Sequence, residues 1–309
     1  MKNRRSETVL PVLRTVAIFS IIFFPLIFVP ELPAQIPGHP GTQSLKARQQ
    51  AELLFAQRQF GEAAGAYEDL VKKNAKDPYL VRGFVRAFQG AGRMDEVEPF
   101  LKERLVESQP SPSSSLLYGL GYYQYLIGTD EGAGDYFKRA VEADPQNALA
   151  WNNWGAALAR KKSYTDAVEK VRRAIRTDPS ESMFFHNLKT IYADKGKDGL
   201  FIAEFEEYAD SGPPELARGY GKVIARTFRQ EGFSLYAQGR LDDAIGKFDE
   251  MLDVYQKIDY VNGLVPGLFS LGLLYEEKGD LEKSEKYFRE VLAINPKHIQ
   301  ARKKLKGKQ

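Results

Sequence analysis

The chain has 309 residues, 43% hydrophobic and 28% charged, with a formal net charge of +3, most of it placed before Gln35 (Lys2, Arg4, Arg5 and Arg14 against Glu7 and Glu31). The near-neutral remainder argues against a dedicated nucleic-acid binder. The absence of cysteine excludes disulfides, thiolate metal sites, a cysteine nucleophile and a lipid-modified cysteine.

Residues 1–34 carry a basic start followed by an apolar run, Val16 to Val29, that contains no charge. That core is short for a membrane span, which needs about 20 apolar residues. Counting from Val9, with Arg14 snorkelling to the interface, makes a span feasible. The segment is expected to be an uncleaved signal-anchor. Its alternative is a signal peptide cleaved after Ala34, although Leu32 is larger than the usual residue three positions before a cleavage site. In both cases the basic residues hold the N-terminus in the cytoplasm and send the rest across, giving a single-pass membrane protein or a periplasmic or secreted one. Pro25, Pro30 and Pro33 argue against a buried core helix, and residues 35–44 are expected to be a linker.

From residue 45 onward the chain repeats itself. Asp-Pro or Asn-Pro recurs at Pro78, Pro145, Pro179 and Pro296, and 34 residues separate Pro145 from Pro179. A second marker, glycine followed by an apolar and then a small residue, appears as GRMDEV, GRLDDA and GDLEKS. Apolar residues between these markers fall at three- and four-residue intervals, as buried helical stripes do. One unit supplies Trp151, Trp154, Gly155, Leu158, Ala167, Val171, Ala174 and Pro179, and the last supplies Leu268, Leu271, Gly272, Tyr275, Gly279, Ser284, Phe288 and Pro296. Between Pro110 and Pro145 lie Leu117, Leu120, Gly121, Gly128, Ala133, Phe137 and Ala140.

These residues resemble the tetratricopeptide repeat (TPR) family, whose pattern runs Trp-x2-Leu-Gly-x2-Tyr, then Ala-x3-Phe, then Pro. Trp154, Leu158 and Val171 depart from it but stay apolar. Weaker units surround Ala51 to Ala63, Val85 to Leu101 and Gly232 to Phe248. The unit from Met183 to Tyr208 is degenerate, with Lys189 and Phe201 where small residues belong. The resemblance implies an all-α, right-handed superhelical solenoid of antiparallel helix pairs; the apolar anchor or signal helix read from residues 1–34 is expected to precede it. Gly155 and Ala167 are expected on facing helix surfaces, where bulk would part the backbones. The Pro213–Pro214 pair divides the repeats into residues 45–212 and 213–309, with a hinge between them. The wider spacing of the C-terminal units points to an extended second helix there, and residues 297–309 to a capping helix.

No motif carries chemistry. His39 and His298 are expected to be solvated, and His186 lies in a repeat without a metal-ligand partner at a diagnostic spacing. No nucleophile elbow or phosphate loop is present. The chain is therefore expected to be non-enzymatic, with no cofactor and no metal site.

The resemblance also implies a concave groove lined by the first helix of each pair. Carried onto this chain, its groove positions are Tyr79, Arg82, Arg86, Tyr118, Tyr122, Tyr125, Asn152, Arg160, His186, Thr190, Arg226, Arg229, Phe233 and Tyr236. Tyrosine and arginine dominate interface energetics, so the expected partner is a protein or peptide, acidic or aromatic-containing. The family's clamp for a terminal carboxylate is not expected: Asn153 and Asn187 fit it, but Tyr118 and Tyr122 replace its lysine and asparagine. The expected role is a membrane-tethered scaffold or adaptor that supports complex assembly. The alternatives are a released binding protein and a non-catalytic regulatory subunit.

Overall fold

Prolines and left-handed turns punctuate the chain into helices. The computed structural model describes residues 40–108 and 113–306. Among these, fifteen α-helices run in order as α1 (Pro40–Ala56), α2 (Phe60–Lys73), α3 (Pro78–Gly90), α4 (Val97–Glu107), α5 (Ser114–Leu126), α6 (Asp130–Ala143), α7 (Ala148–Arg160) and α8 (Tyr164–Thr177), then α9 (Ser182–Asp194), α10 (Gly199–Ser211), α11 (Pro214–Ala237), α12 (Leu241–Lys257), α13 (Val261–Lys278), α14 (Leu281–Ile294) and α15 (Ile299–Lys306). Asp77 starts α3 by accepting the Tyr79 backbone N–H at 2.8 Å, with Pro78 in the first turn, where its missing N–H costs nothing. Within pairs the turn needs a left-handed residue, supplied by Gly239 and Gly279 (φ +75° and +86°); in the Trp151 unit Lys162 takes that conformation at φ +62°.

Residues 44–309 form one unit, in which α5–α6, α7–α8, α11–α12 and α13–α14 are the most closely packed pairs, α2 packs on α3, and α15 lies against α14. The facing positions are where the repeat pattern puts them. A Cβ on Gly155 would lie 2.5 Å from Val171 Cγ2 and 2.9 Å from the Ala167 carbonyl oxygen. Gly121 and Gly272 meet the rings of Phe137 and Phe288 in the same way. Successive first helices (α3, α5, α7, α9, α11) approach one another more closely than successive second helices do, so the first helices line the inside of the curve.

Buried apolar residues form two clusters that meet within α5. Leu116 and Leu120 belong to the cluster reaching back to Ala51; Leu117 and Tyr118 belong to the one reaching forward to Ala301. The forward cluster runs past Pro213–Pro214, and those prolines begin α11, of 24 residues. The extension expected of a second helix is shared: α12 has 17 residues, and α13, which contains Pro266, has 18. The helical part begins at Pro40, inside the stretch expected to be linker, because proline is compatible with a helix's first turn. His298 lies just ahead of α15, where its Nδ1 accepts the Ala301 N–H at 3.2 Å. Among the described residues no helix is long and apolar enough to cross a membrane; the expected anchor, residues 1–34, lies outside them.

The degenerate unit keeps its place by other means. With Lys189 and Phe201 in place of small residues, α9 and α10 approach at far fewer positions than α7 and α8. Phe201 is buried instead, and the Glu204 carboxylate on α10 gathers neighbours from three other helices. It accepts Arg172 Nε of α8 at 3.0 Å and the hydroxyls of Tyr192 on α9 and Tyr220 on α11. Burial first, and then Glu204, push both phenols well above their ordinary pKa. The shortfall in close helix packing is offset by a charge-assisted polar junction.

Candidate partner-binding surface

The inner face divides into a half whose polar groups are clasped across the curve and a half where Thr190 and Arg226 stay exposed. In the first half, Tyr79 of α3 donates its hydroxyl to Asp178 Oδ2 at 2.5 Å, and Arg82 Nη1 donates to Glu181 Oε2 at 3.4 Å. Asp178 and Glu181 belong to the turn between α8 and α9, so these contacts reach across the inner face of α5 and α7. Beside them lies a polar cavity of about 400 Å³ lined by Arg48, Tyr79, Asp178, Ser180, Glu181 and Ser182. Arg86 lies over the Phe55 ring, 4.8 Å from its centroid.

Behind this clasp Tyr118 is fully buried and stacks on Tyr122 with ring centroids 6.0 Å apart. Burial pushes its phenol far above the ordinary range. An amide ladder continues across α7 to α9: Asn153 Nδ2 donates to Tyr118 Oη at 3.5 Å, Asn152 Nδ2 to Asn153 Oδ1 at 2.9 Å, and Asn187 Nδ2 to Asn152 Oδ1 at 2.9 Å. Asn152 is itself fully buried. Arg160 sits 3.7 Å above the Tyr125 ring and donates to Asp130 at 2.7 Å. Tyr79, Arg82, Tyr118, Tyr122, Tyr125, Asn152 and Arg160 are thus brought together, each with an intramolecular partner.

The second half, on α9, α11 and α13, is different. His186 is half-buried; burial first, and then the charges of Arg226 and Lys189, hold its imidazole below its ordinary pKa. Thr190 is exposed and bonds back to the His186 carbonyl at 3.0 Å. Arg226 is exposed and Arg229 partly so. Phe233 packs edge-on against Phe248, and Tyr236 donates to Glu277 Oε2 at 2.8 Å. Burial and then Glu277 push the Tyr236 phenol up to about 12.

Several residues here escape repeat-based reading. Asp178 and Glu181 occupy a turn, which the groove pattern ignores. Arg218 and Lys222 extend the Arg226–Arg229 face backward along α11, at a spacing visible in the sequence once the helix is known to begin at Pro214. Among the described residues no group of three or more His, Asp or Glu is placed to hold a metal ion.

Tetratricopeptide repeat models match residues 82–148, 136–182 and 223–297. Over 175 residues the chain is 27% identical to the TPR repeat-containing protein MJ1428 of Methanocaldococcus jannaschii, covering 55% of this chain and 28% of that one. Over 160 residues it is 21% identical to the peroxisomal targeting signal receptor of Yarrowia lipolytica, covering 52% and 26%. The chain therefore spans about a quarter of the length of these curated relatives. Among solved structures it is similar to the C-terminal part of a TPR repeat-containing protein from Cytophaga hutchinsonii (16% identity, TM-score 0.39, covering 83% and 98%). It is also similar to YrrB, a TPR protein with an unusual peptide-binding site (20% identity, TM-score 0.34, covering 67% and 97%). At these identities the similarity concerns the fold alone.

Proposed function

Since the chain belongs to the tetratricopeptide repeat family, we propose that it is a non-catalytic adaptor that receives a protein or peptide partner on the inner face of α9, α11 and α13. The observation that carries this is the contrast between the two halves of that face. The α3–α7 half has its polar groups spent on Asp178, Glu181 and one another. The α9–α13 half leaves Thr190 and Arg226 exposed and Arg229 and Phe233 partly so. Arginine and aromatic side chains supply most of the energy at protein interfaces, which favours an acidic or aromatic-containing partner.

The partner-binding part is tethered to a membrane through residues 1–34, as the basic start and the apolar run Val16–Val29 support. Thr190→Trp puts bulk on the open face without touching the core. It is expected to abolish recovery of the partner from membrane extract, and unchanged recovery would contradict this function. Sequencing the N-terminus of the mature protein tests the tether: a start at Gln35 would replace the anchored protein with a released one.

A further inference from the structure

Helix α11 carries Arg218, Lys222, Arg226 and Arg229 at intervals of four, four and three residues, so all four lie on one face. Phe233 and Tyr236 continue that face toward its C-terminus. The helix is 24 residues long, and so about 36 Å from end to end. On α9, His186 stands close enough to feel the charges of Arg226 and Lys189, which with burial hold its imidazole toward the neutral form. Like charges at four-residue spacing repel one another; burial first, and then Arg218, hold the Lys222 ammonium below its ordinary pKa.

Three other partly buried cations are neutralised within the fold. Arg82 has Glu181, Arg172 has Glu204, and Lys247 on α12 has Glu231 and Glu250. Among the described residues, Arg218, Lys222, Arg226, Arg229 and Lys189 have no ion-pair partner; Lys222 rests over the Tyr260 ring, 4.6 Å from its centroid, and Lys189 bonds Thr227 Oγ1 at 2.6 Å. A cationic row kept unpaired on the inner face is an electrostatic cost that folding alone does not require.

We infer that this face of α11 is a docking strip for an extended, acidic polypeptide segment that carries carboxylates at alternate residues and an apolar residue at the end nearest Phe233. This rests on the adaptor function proposed above and names its partner's chemistry. The spacing supports it: residues four apart on a helix are separated by about 6 Å, and alternate residues of an extended chain by about 6.8 Å. Long arginine and lysine side chains absorb the difference, and each arginine can fork onto a carboxylate. A polypeptide fits better than a nucleic acid. The row of cations is short, it ends at aromatic side chains and at Glu277, and the whole chain has a formal net charge of only +3.

The test uses the purified chain and a fluorescein-labelled peptide of four Glu-Ser repeats ending in Phe, followed by anisotropy. Binding is expected to weaken about tenfold or more in Arg226→Glu/Arg229→Glu and to weaken also with added salt. The Arg218→Gln/Lys222→Gln variant, altered only at exposed side chains, is expected to lose affinity in the same direction and guards against misfolding of the first. Affinity in both variants equal to that of the unaltered chain, equal affinity of the unaltered chain for the matching Lys-Ser peptide, or its preferential binding of a dT12 oligonucleotide would overturn the strip. Thr190→Trp separates the two levels. If it abolishes partner recovery from extract while the acidic peptide fails to bind the strip, the inner face remains the partner surface and the acidic strip is wrong.

Discussion

Tyr79 and Asp178 are 99 residues apart in the chain and 2.5 Å apart in space, hydroxyl to carboxylate. The contact joins the start of α3 to the turn before α9 and, with Arg82–Glu181, closes the inner face over Tyr118 and Asn152. The Tyr79→Phe/Arg82→Gln variant removes both contacts without adding bulk. A hydrogen bond to a charged group contributes about 1.5–3 kcal/mol, so a modest fall in thermal midpoint is expected. Because the chain has no cysteine, spin labels placed on Lys76→Cys and Arg176→Cys, both exposed and outside the clasp, report the gap cleanly. The variant is expected to lengthen and broaden their distance distribution, and an unchanged distribution would show that other contacts hold the gap shut.

The same contact has an acid limit. Burial alone would raise the Asp178 carboxyl, but hydrogen bonds from Ser180 and Tyr79 outweigh it and hold it below the usual carboxylate range. A carboxylate depressed in the folded state stabilises above its unfolded pKa, about 3.9, and loses that contribution as pH falls through its folded value. The label distance is therefore expected to be constant from neutral pH down to about 5, well above both values. NMR titration should place the Asp178 midpoint higher in Tyr79→Phe than in the unaltered chain.

Gly155→Val tests the close approach of α7 and α8. The added Cβ would stand 2.9 Å from the Ala167 carbonyl oxygen, a backbone atom that cannot rotate away. Overpacking of this kind costs roughly 1–3 kcal/mol or more, and thermal unfolding should show a clear loss. A midpoint equal to that of the unaltered chain would mean the pair can part without penalty.

The sequence disclosed the repeat but not the contacts across it. Trp151, Gly155, Ala167 and Asp178–Pro179 obey a local geometry that recurs every unit, so periodicity finds them. The Tyr79–Asp178 clasp joins separate units, and nothing in a repeat pattern says how tightly the curve closes. Tyr118 and Asn152 sit at positions read as groove-facing, yet the clasp and the amide ladder bury them. Glu204 was hidden for a related reason: Lys189 and Phe201 read as defects in the pattern, and the polar junction that compensates for them draws on four helices. The length of α11, which aligns Arg218 and Lys222 with Arg226, exceeds the usual unit and was legible only once its first residue was known.

Ser284 offers a test in the opposite direction. Its side chain is fully buried on α14, and its Oγ has no hydrogen-bond partner. An unsatisfied buried hydroxyl costs about 1–3 kcal/mol relative to one that is paired. Ser284→Ala is expected to leave stability equal or raise it by about 1 kcal/mol, read as a higher denaturant midpoint at unchanged slope. A lower midpoint would mean that the hydroxyl contributes to the packing of α13 against α14.

The most direct test of partner binding on the inner face is site-specific photocrosslinking in membrane extract. A benzoylphenylalanine at Thr190 or Phe233 probes the open half of that face, and one at Arg173 or Lys286 probes exposed positions on the second helices α8 and α14. A discrete partner adduct from Thr190 and Phe233, and none from Arg173 and Lys286, is the predicted result; adducts confined to Arg173 and Lys286 would contradict it.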